Sequence, residues 1–210
     1  MEELDLLKKH WKKNENFPKF SKDEIQHIIH KRSSSIVKWI FYISVIEFAL
    51  GIVGSFFITS FISKEEMIPN KIYEKMDTYS PIITILFYMV LVYFIFNFYK
   101  MYRKIAVDSS TRELMKNILK TRKIVNKYIV FNVVVVMISF MVGGIIGMLS
   151  IDHSDDLKVN ALLFNGILSA ILLVMSCVLA LFIWLFYRII YGLLLKKLDK
   201  NYQELKKIDL

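Results

Sequence analysis

Four apolar runs, separated by polar and basic stretches, set the pattern of this chain. The last is the longest: between Lys158 and Arg188 there is no charged residue. That run exceeds the roughly 20 apolar residues a helix needs to cross a bilayer. It passes without proline into RIIYGLLLKKLDKNYQELKKI, which has an amphipathic helical pattern, so one long helix is expected, partly in lipid and partly in water. The other three runs repeat the theme. Expected spans are about 38–63, 80–99, 128–151 and 160–187. The fold class predicted is all-α, an integral-membrane four-helix bundle with long cytoplasmic helical extensions.

Polar positions place the boundaries. Ser21 and Glu24 form a capping box, after which Ile25, Ile28 and Ile29 share a face and nothing breaks the helix before the first span. Ser80-Pro81 reads as the start of span two, with 64–79 as a polar loop, because proline is tolerated at the first helical position. Ser110 and Glu113 form a second capping box. Leu114, Ile118, Thr121, Val125 and Tyr128 then recur at spacings 4-3-4-3, as do Tyr191, Leu195, Leu198, Tyr202 and Leu205 in the tail. Such seams need partners in water. Segments 21–37, 110–127 and 188–207 are therefore expected to pack on one another below the membrane. Residues 1–20 form a separate leading helix and connector, cut off from the 21–210 bundle by Asn14–Pro18. The narrow stripe of Leu4, Leu7 and Trp11 on that leading helix is the candidate for docking a partner protein.

Composition fits this reading. The 210 residues are 55% hydrophobic with positive mean hydropathy, which fits one integral membrane domain rather than two soluble ones. The formal net charge of +9 is segregated by segment. Nine Lys and Arg precede the first span, nine lie in 100–127 and six follow from Arg188, against four in the two remaining loops. The positive-inside rule then puts both termini and the middle loop in the cytoplasm of a bacterial inner membrane. The basic balance points to anionic lipid, since the loops lack a nucleic-acid reading motif. The first apolar run starts near Ile36 after a long charged stretch, so the first span is expected to be an uncleaved anchor. The lone Cys177 is expected to be a small packing residue in the fourth span.

Candidate chemistry is sparse. Glu47 is the one charge in the first span, roughly 12 Å beyond Trp39 by helical rise. A carboxyl there is costly, and such residues commonly mark function. It is expected either to anchor a neighbouring span or to serve as a proton or cation site, with Asn97, Asn132, Ser139 and Ser176 as conceivable partners. Ser139, Gly143 and Gly147 on span three, with Gly166 and Ala170 on span four, form small-xxx-small ladders. Close approach of spans three and four through them is expected, and an oligomer contact through the same face is the alternative. His27 and His30 with Asp23, and the outer turn Asp152, His153, Asp155 and Asp156, are weak metal-ligand patterns. The plainer reading of both is solvated polar surface. No metal site, cofactor or catalytic residue is assigned, since no nucleophile–base pairing or metalloprotease motif occurs.

The opening ELDLLKKHWKKNENFPKFSKDEIQHIIHKRSSSIVKWIF and the close YGLLLKKLDKNYQELKKIDL, with four spans between, resemble a family of small inner-membrane proteins of flavobacteria and related Bacteroidota. Members of that family carry the label beta-carotene 15,15'-monooxygenase. The resemblance implies a four-span membrane protein, and the label would imply an enzyme acting on an isoprenoid. Iron-dependent carotenoid cleavage needs several converging histidines. Here His10, His27 and His30 fall on one side of the membrane and His153 on the other, with none inside a span. No functional residue is carried over. Three expectations follow: a non-enzymatic regulatory or scaffolding subunit that binds a protein partner or a second copy; a small transporter or channel subunit using Glu47; or a membrane enzyme acting on lipid or isoprenoid.

Overall fold

The structure, a computed structural model, describes residues 21–61, 70–107, 110–149 and 161–209, without the side chains of 58, 59, 61, 70–78, 161, 162, 208 and 209. The leading stripe of Leu4, Leu7 and Trp11 and the acidic turn of Asp152–Asp156 lie outside the described residues. Those residues form four helices and no strand: α1 (Lys22–Phe61), α2 (Asn70–Ala106), α3 (Thr111–Leu149) and α4 (Ala161–Asp209). All four are long and apolar enough to cross a membrane. They run for 40, 37, 39 and 49 residues. At 1.5 Å per residue each exceeds the roughly 30 Å hydrocarbon core by about 25 Å or more.

The starts and joins have local causes. At α1 the Ser21 amide donates to the Glu24 carboxyl at 2.8 Å, and the Glu24 amide to the Ser21 hydroxyl at 3.2 Å. At α3 the Leu114 amide reaches the Ser110 carbonyl at 2.9 Å. The expected helix start at Ser80-Pro81 is corrected: α2 begins at Asn70 and carries Pro81 inside it, while the stretch apolar enough to cross a membrane starts at Tyr79. No glycine or proline separates Asn70 from Ser80, so the helix can begin just after Pro69. Pro81 then removes one backbone bond rather than starting the helix.

Successive helices run antiparallel. α1 lies beside α2 and α4, α3 lies beside α2 and α4, and α1 meets α3 across a short diagonal. The hairpins α1–α2 and α3–α4 share their longest interfaces internally. The core sits toward the basic ends of the helices. One cluster joins Ile29 and Val37 of α1, Met101 and Ile105 of α2, Leu114 and Ile118 of α3, and Leu198 and Leu205 of α4. A second follows above it, from Ile40 through Phe98, Val125 and Tyr128 to Tyr187 and Tyr191. All five residues of the α3 seam are buried; in the tail seam Tyr191, Leu198 and Leu205 are buried, while Leu195 and Tyr202 are half-buried. The three segments with seams do pack on one another, and the end of α2 completes a four-helix body.

Candidate functional site

The two clusters share Ile36 and Ile124, and the second is centred on Tyr128, the last residue of the α3 seam. Phe94 and Phe98 of α2 approach its ring edge-on at 5.4 and 5.5 Å. Tyr187 and Tyr191, one turn apart on α4, approach it at 6.2 and 5.9 Å and stack on each other. Three phenolic hydroxyls thus converge between α3 and α4, and a buried phenol needs a hydrogen-bond partner.

Glu47 of α1 supplies it. The Tyr128 hydroxyl donates to Oε2 at 2.7 Å, Tyr187 donates to Oε1, and Tyr191 makes a longer contact to Oε2 at 3.4 Å. One half-buried carboxyl from the first hairpin therefore receives three donors from the second. Acceptor and donors compensate each other's removal from water, so the cluster is a polar clasp between hairpins. The sequence placed Glu47 roughly 12 Å past Trp39 by helical rise. Its partners instead adjoin Lys127 and Arg188, the charges that bound the apolar runs of α3 and α4. Measured from those helices, the clasp sits where the basic half begins.

The expected Glu47 partners do not take that role. Asn97 and Asn132 donate to the carbonyls of Tyr93 and Tyr128 on their own helices, at 2.9 and 3.0 Å. Ser176, fully buried, donates to the Leu173 carbonyl at 2.8 Å. Such local bonds satisfy polar groups in apolar helices without a cross-helix partner. Ser139 is exposed and lines an open cleft of about 500 Å³ between α2 and α3, with Thr84, Tyr88 and Leu179.

The small-residue ladder is also displaced. A methyl added at Gly143, Gly147 or Gly166 would meet nothing within 4 Å, and Ser139 and Ala170 are exposed. The close approach of α3 and α4 falls one residue on, at Gly144, where an added methyl would run into the Leu172 side chain. One turn further, the Ser169 hydroxyl points at the Met148 sulfur at 3.9 Å. One residue of offset rotates a helical face by about 100°, which separates the Gly144–Met148 stripe from the ladder. Cys177, expected to pack, is exposed.

A second polar layer lies nearer the basic ends. Asn201 Nδ2 donates to the Ser33 hydroxyl at 2.9 Å, and both side chains are buried. Arg122 pairs with Asp199 across α3 and α4. His30 is buried rather than solvated, and its Nε2 donates to the Val107 carbonyl at 3.0 Å. That nitrogen closes the end of α2 and is not free for a metal, while His27 is exposed. Among the described residues no three His, Cys, Asp or Glu side chains are grouped to share an ion. Asn117 Nδ2 is buried without a partner.

Sequence reasoning missed the three tyrosines as a site. The signal was present: Tyr128 and Tyr191 end one seam and begin the other, Tyr187 lies one turn before Tyr191, and a lone carboxyl stands in a neighbouring span. A phenol on a seam asks for an acceptor, and Glu47 is the one carboxyl in the apolar part of the neighbouring span.

The comparisons with known proteins bear on the same region. A protein-family model described as a domain of unknown function, DUF8845, matches residues 23–210. The match spans all four helices and leaves out the leading segment. No curated protein and no solved structure matches the chain.

Proposed function

We propose, for a chain that belongs to the DUF8845 family and takes no stated activity from it, a non-enzymatic scaffolding or regulatory subunit of a bacterial inner membrane. Both terminal segments and the middle segment 100–127 face the cytoplasm in this reading, because 24 of the 28 Lys and Arg lie in them. The observation that carries it is the Glu47 clasp. The most conspicuous polar group of the spans is engaged by Tyr128, Tyr187 and Tyr191 and ties the two hairpins into one body. Glu47 then anchors structure, and the helices below it form a rigid cytoplasmic stalk.

In this reading a partner docks away from the two seams. The α3 and α4 seams are turned inward, so they offer no apolar stripe to another protein. The leading Leu4, Leu7 and Trp11 stripe, outside the described residues and the family match, is the surface we assign to that role. The test is purification of tagged protein from native membranes in mild detergent, with and without residues 1–16. A stoichiometric partner that disappears on deletion is the expected result. Identical associations from both forms would contradict the docking assignment, and a homo-oligomer without any partner would move it to a self-assembling scaffold.

A second reading keeps Glu47 as a proton or cation site of a small transporter. It draws on the three phenols, whose hydroxyls converge on one carboxyl. Proton flux into liposomes that Glu47→Gln abolishes would support it; flux indifferent to that change would exclude Glu47 from the path.

A further inference from the structure

Beside the clasp, α3 and α4 carry between them a trough of about 380 Å³. Its walls are Asn126, Ile129 and Val130 of α3 and Trp184, Arg188 and Leu195 of α4, and Gly192 lines it without a side chain. The Arg188 guanidinium lies over the Trp184 ring, 4.9 Å from its centroid. Stacking of this kind fixes the plane of a guanidinium while leaving its N–H edges to donate. No carboxylate pairs with Arg188 among the described residues. The sequence explains why: α3 has no Asp or Glu after Glu113, and α4 has none before Asp199. Lys123 and Lys127 fall at helical spacing on the Asn126 and Val130 side of α3, and both are exposed. The trough therefore sets uncompensated positive charge beside an apolar wall.

Its depth gives that polarity a meaning. Lys127 is the last charge before the apolar run of α3, and Arg188 the first after that of α4. Both mark the plane where a bilayer passes from acyl chain to headgroup. An occupant matching this layout has an anionic group level with Arg188 and a chain running toward Val130 and Trp184.

We propose that this trough holds one anionic phospholipid of the leaflet nearest the basic helix ends, its phosphate on Arg188 and one acyl chain along Val130 and Trp184. Basic pockets between membrane helices select anionic headgroups by charge, and the trough adds an apolar contact that a free anion cannot use. The site does not rest on the scaffolding role, since none of the clasp side chains Glu47, Tyr128, Tyr187 and Tyr191 lines the trough.

The test uses full-length protein, delipidated in nonionic detergent, with Trp11→Phe and Trp39→Phe so that Trp184 is the one remaining tryptophan of three. Its emission is followed on titration with dioleoyl phosphatidylglycerol, dioleoyl phosphatidylcholine or inorganic phosphate. The expected result is saturable binding of phosphatidylglycerol, about tenfold weaker for phosphatidylcholine and about tenfold weaker after Arg188→Gln. Gly192→Leu, which fills the trough and keeps the charge, should weaken binding similarly, while Lys104→Gln on exposed α2 surface should not. Equal response to the two lipids would overturn the proposal. So would binding unchanged by both Arg188→Gln and Gly192→Leu, or saturation by inorganic phosphate at the same concentration as by phosphatidylglycerol.

Discussion

The basic and apolar halves of this bundle are made of the same four helices and differ in how they meet. From the clasp toward the basic ends, every helix contributes fully buried side chains, among them Ile29, Ile105, Ile118 and Leu198. In the opposite half the one fully buried side chain among the described residues is Ser176, and Phe56 and Leu163 are 70% and 65% exposed. The two solvents explain the contrast. In water, apolar stripes must be covered, so the extensions pack densely. In lipid, apolar surface is already solvated, and helices meet only where shape or a polar group brings them together. Gly144 against Leu172 is a meeting of the first kind, and the Glu47 clasp at the border is the second.

That contrast can be broken at several points. Leu198→Ala should have the largest effect, about 2–5 kcal/mol lost in thermal or denaturant unfolding of the detergent-solubilised protein. Ile167→Ala, at a position 62% exposed, should change the same readout by less than about 0.5 kcal/mol. Equal losses would erase the distinction between halves.

Ser33→Ala comes next. It leaves the buried Asn201 amide without its partner, at about 1–3 kcal/mol in the same unfolding measurement. Gly144→Ala and Gly143→Ala form a matched pair inside the apolar half. Crowding against Leu172 should make the first lower the unfolding free energy by about 1–3 kcal/mol. The second meets open space and should be neutral or gain up to about 1 kcal/mol from helix propensity. A reversed order would restore the Gly143–Gly147 ladder as the packing face. Arg122→Gln should show the smallest effect, about 0–1 kcal/mol and fading with salt, because its pair with Asp199 is over a third exposed.

Much of the fold was legible because helical periodicity in water-exposed segments is strong. Leu114, Ile118, Thr121, Val125 and Tyr128 announced a seam, and each is buried. The apolar runs announced four long helices, though not where α2 begins, since proline ends helices less reliably in apolar segments than in polar ones. The site was legible only in halves. Glu47 stood out as a lone carboxyl, but its partners lie 81, 140 and 144 residues away. In a span where nearly every residue is apolar, no period tells which face of α3 meets α4, so the ladder was assigned one residue from Gly144. His30 reads as solvated from its basic surroundings; its burial depends on the Val107 carbonyl that α2 brings back beside it.

The central claim is that Glu47 and the tyrosines join the two hairpins as a unit. A double-mutant cycle on unfolding free energy, with Glu47→Ala, Tyr128→Phe and the pair, tests it most directly. The account predicts a coupling of about 1 kcal/mol or more between them. It also predicts none between Glu47 and Tyr93, which is 63% exposed and makes no contact with the carboxyl among the described residues. Additive losses for Glu47 and Tyr128 would contradict the clasp.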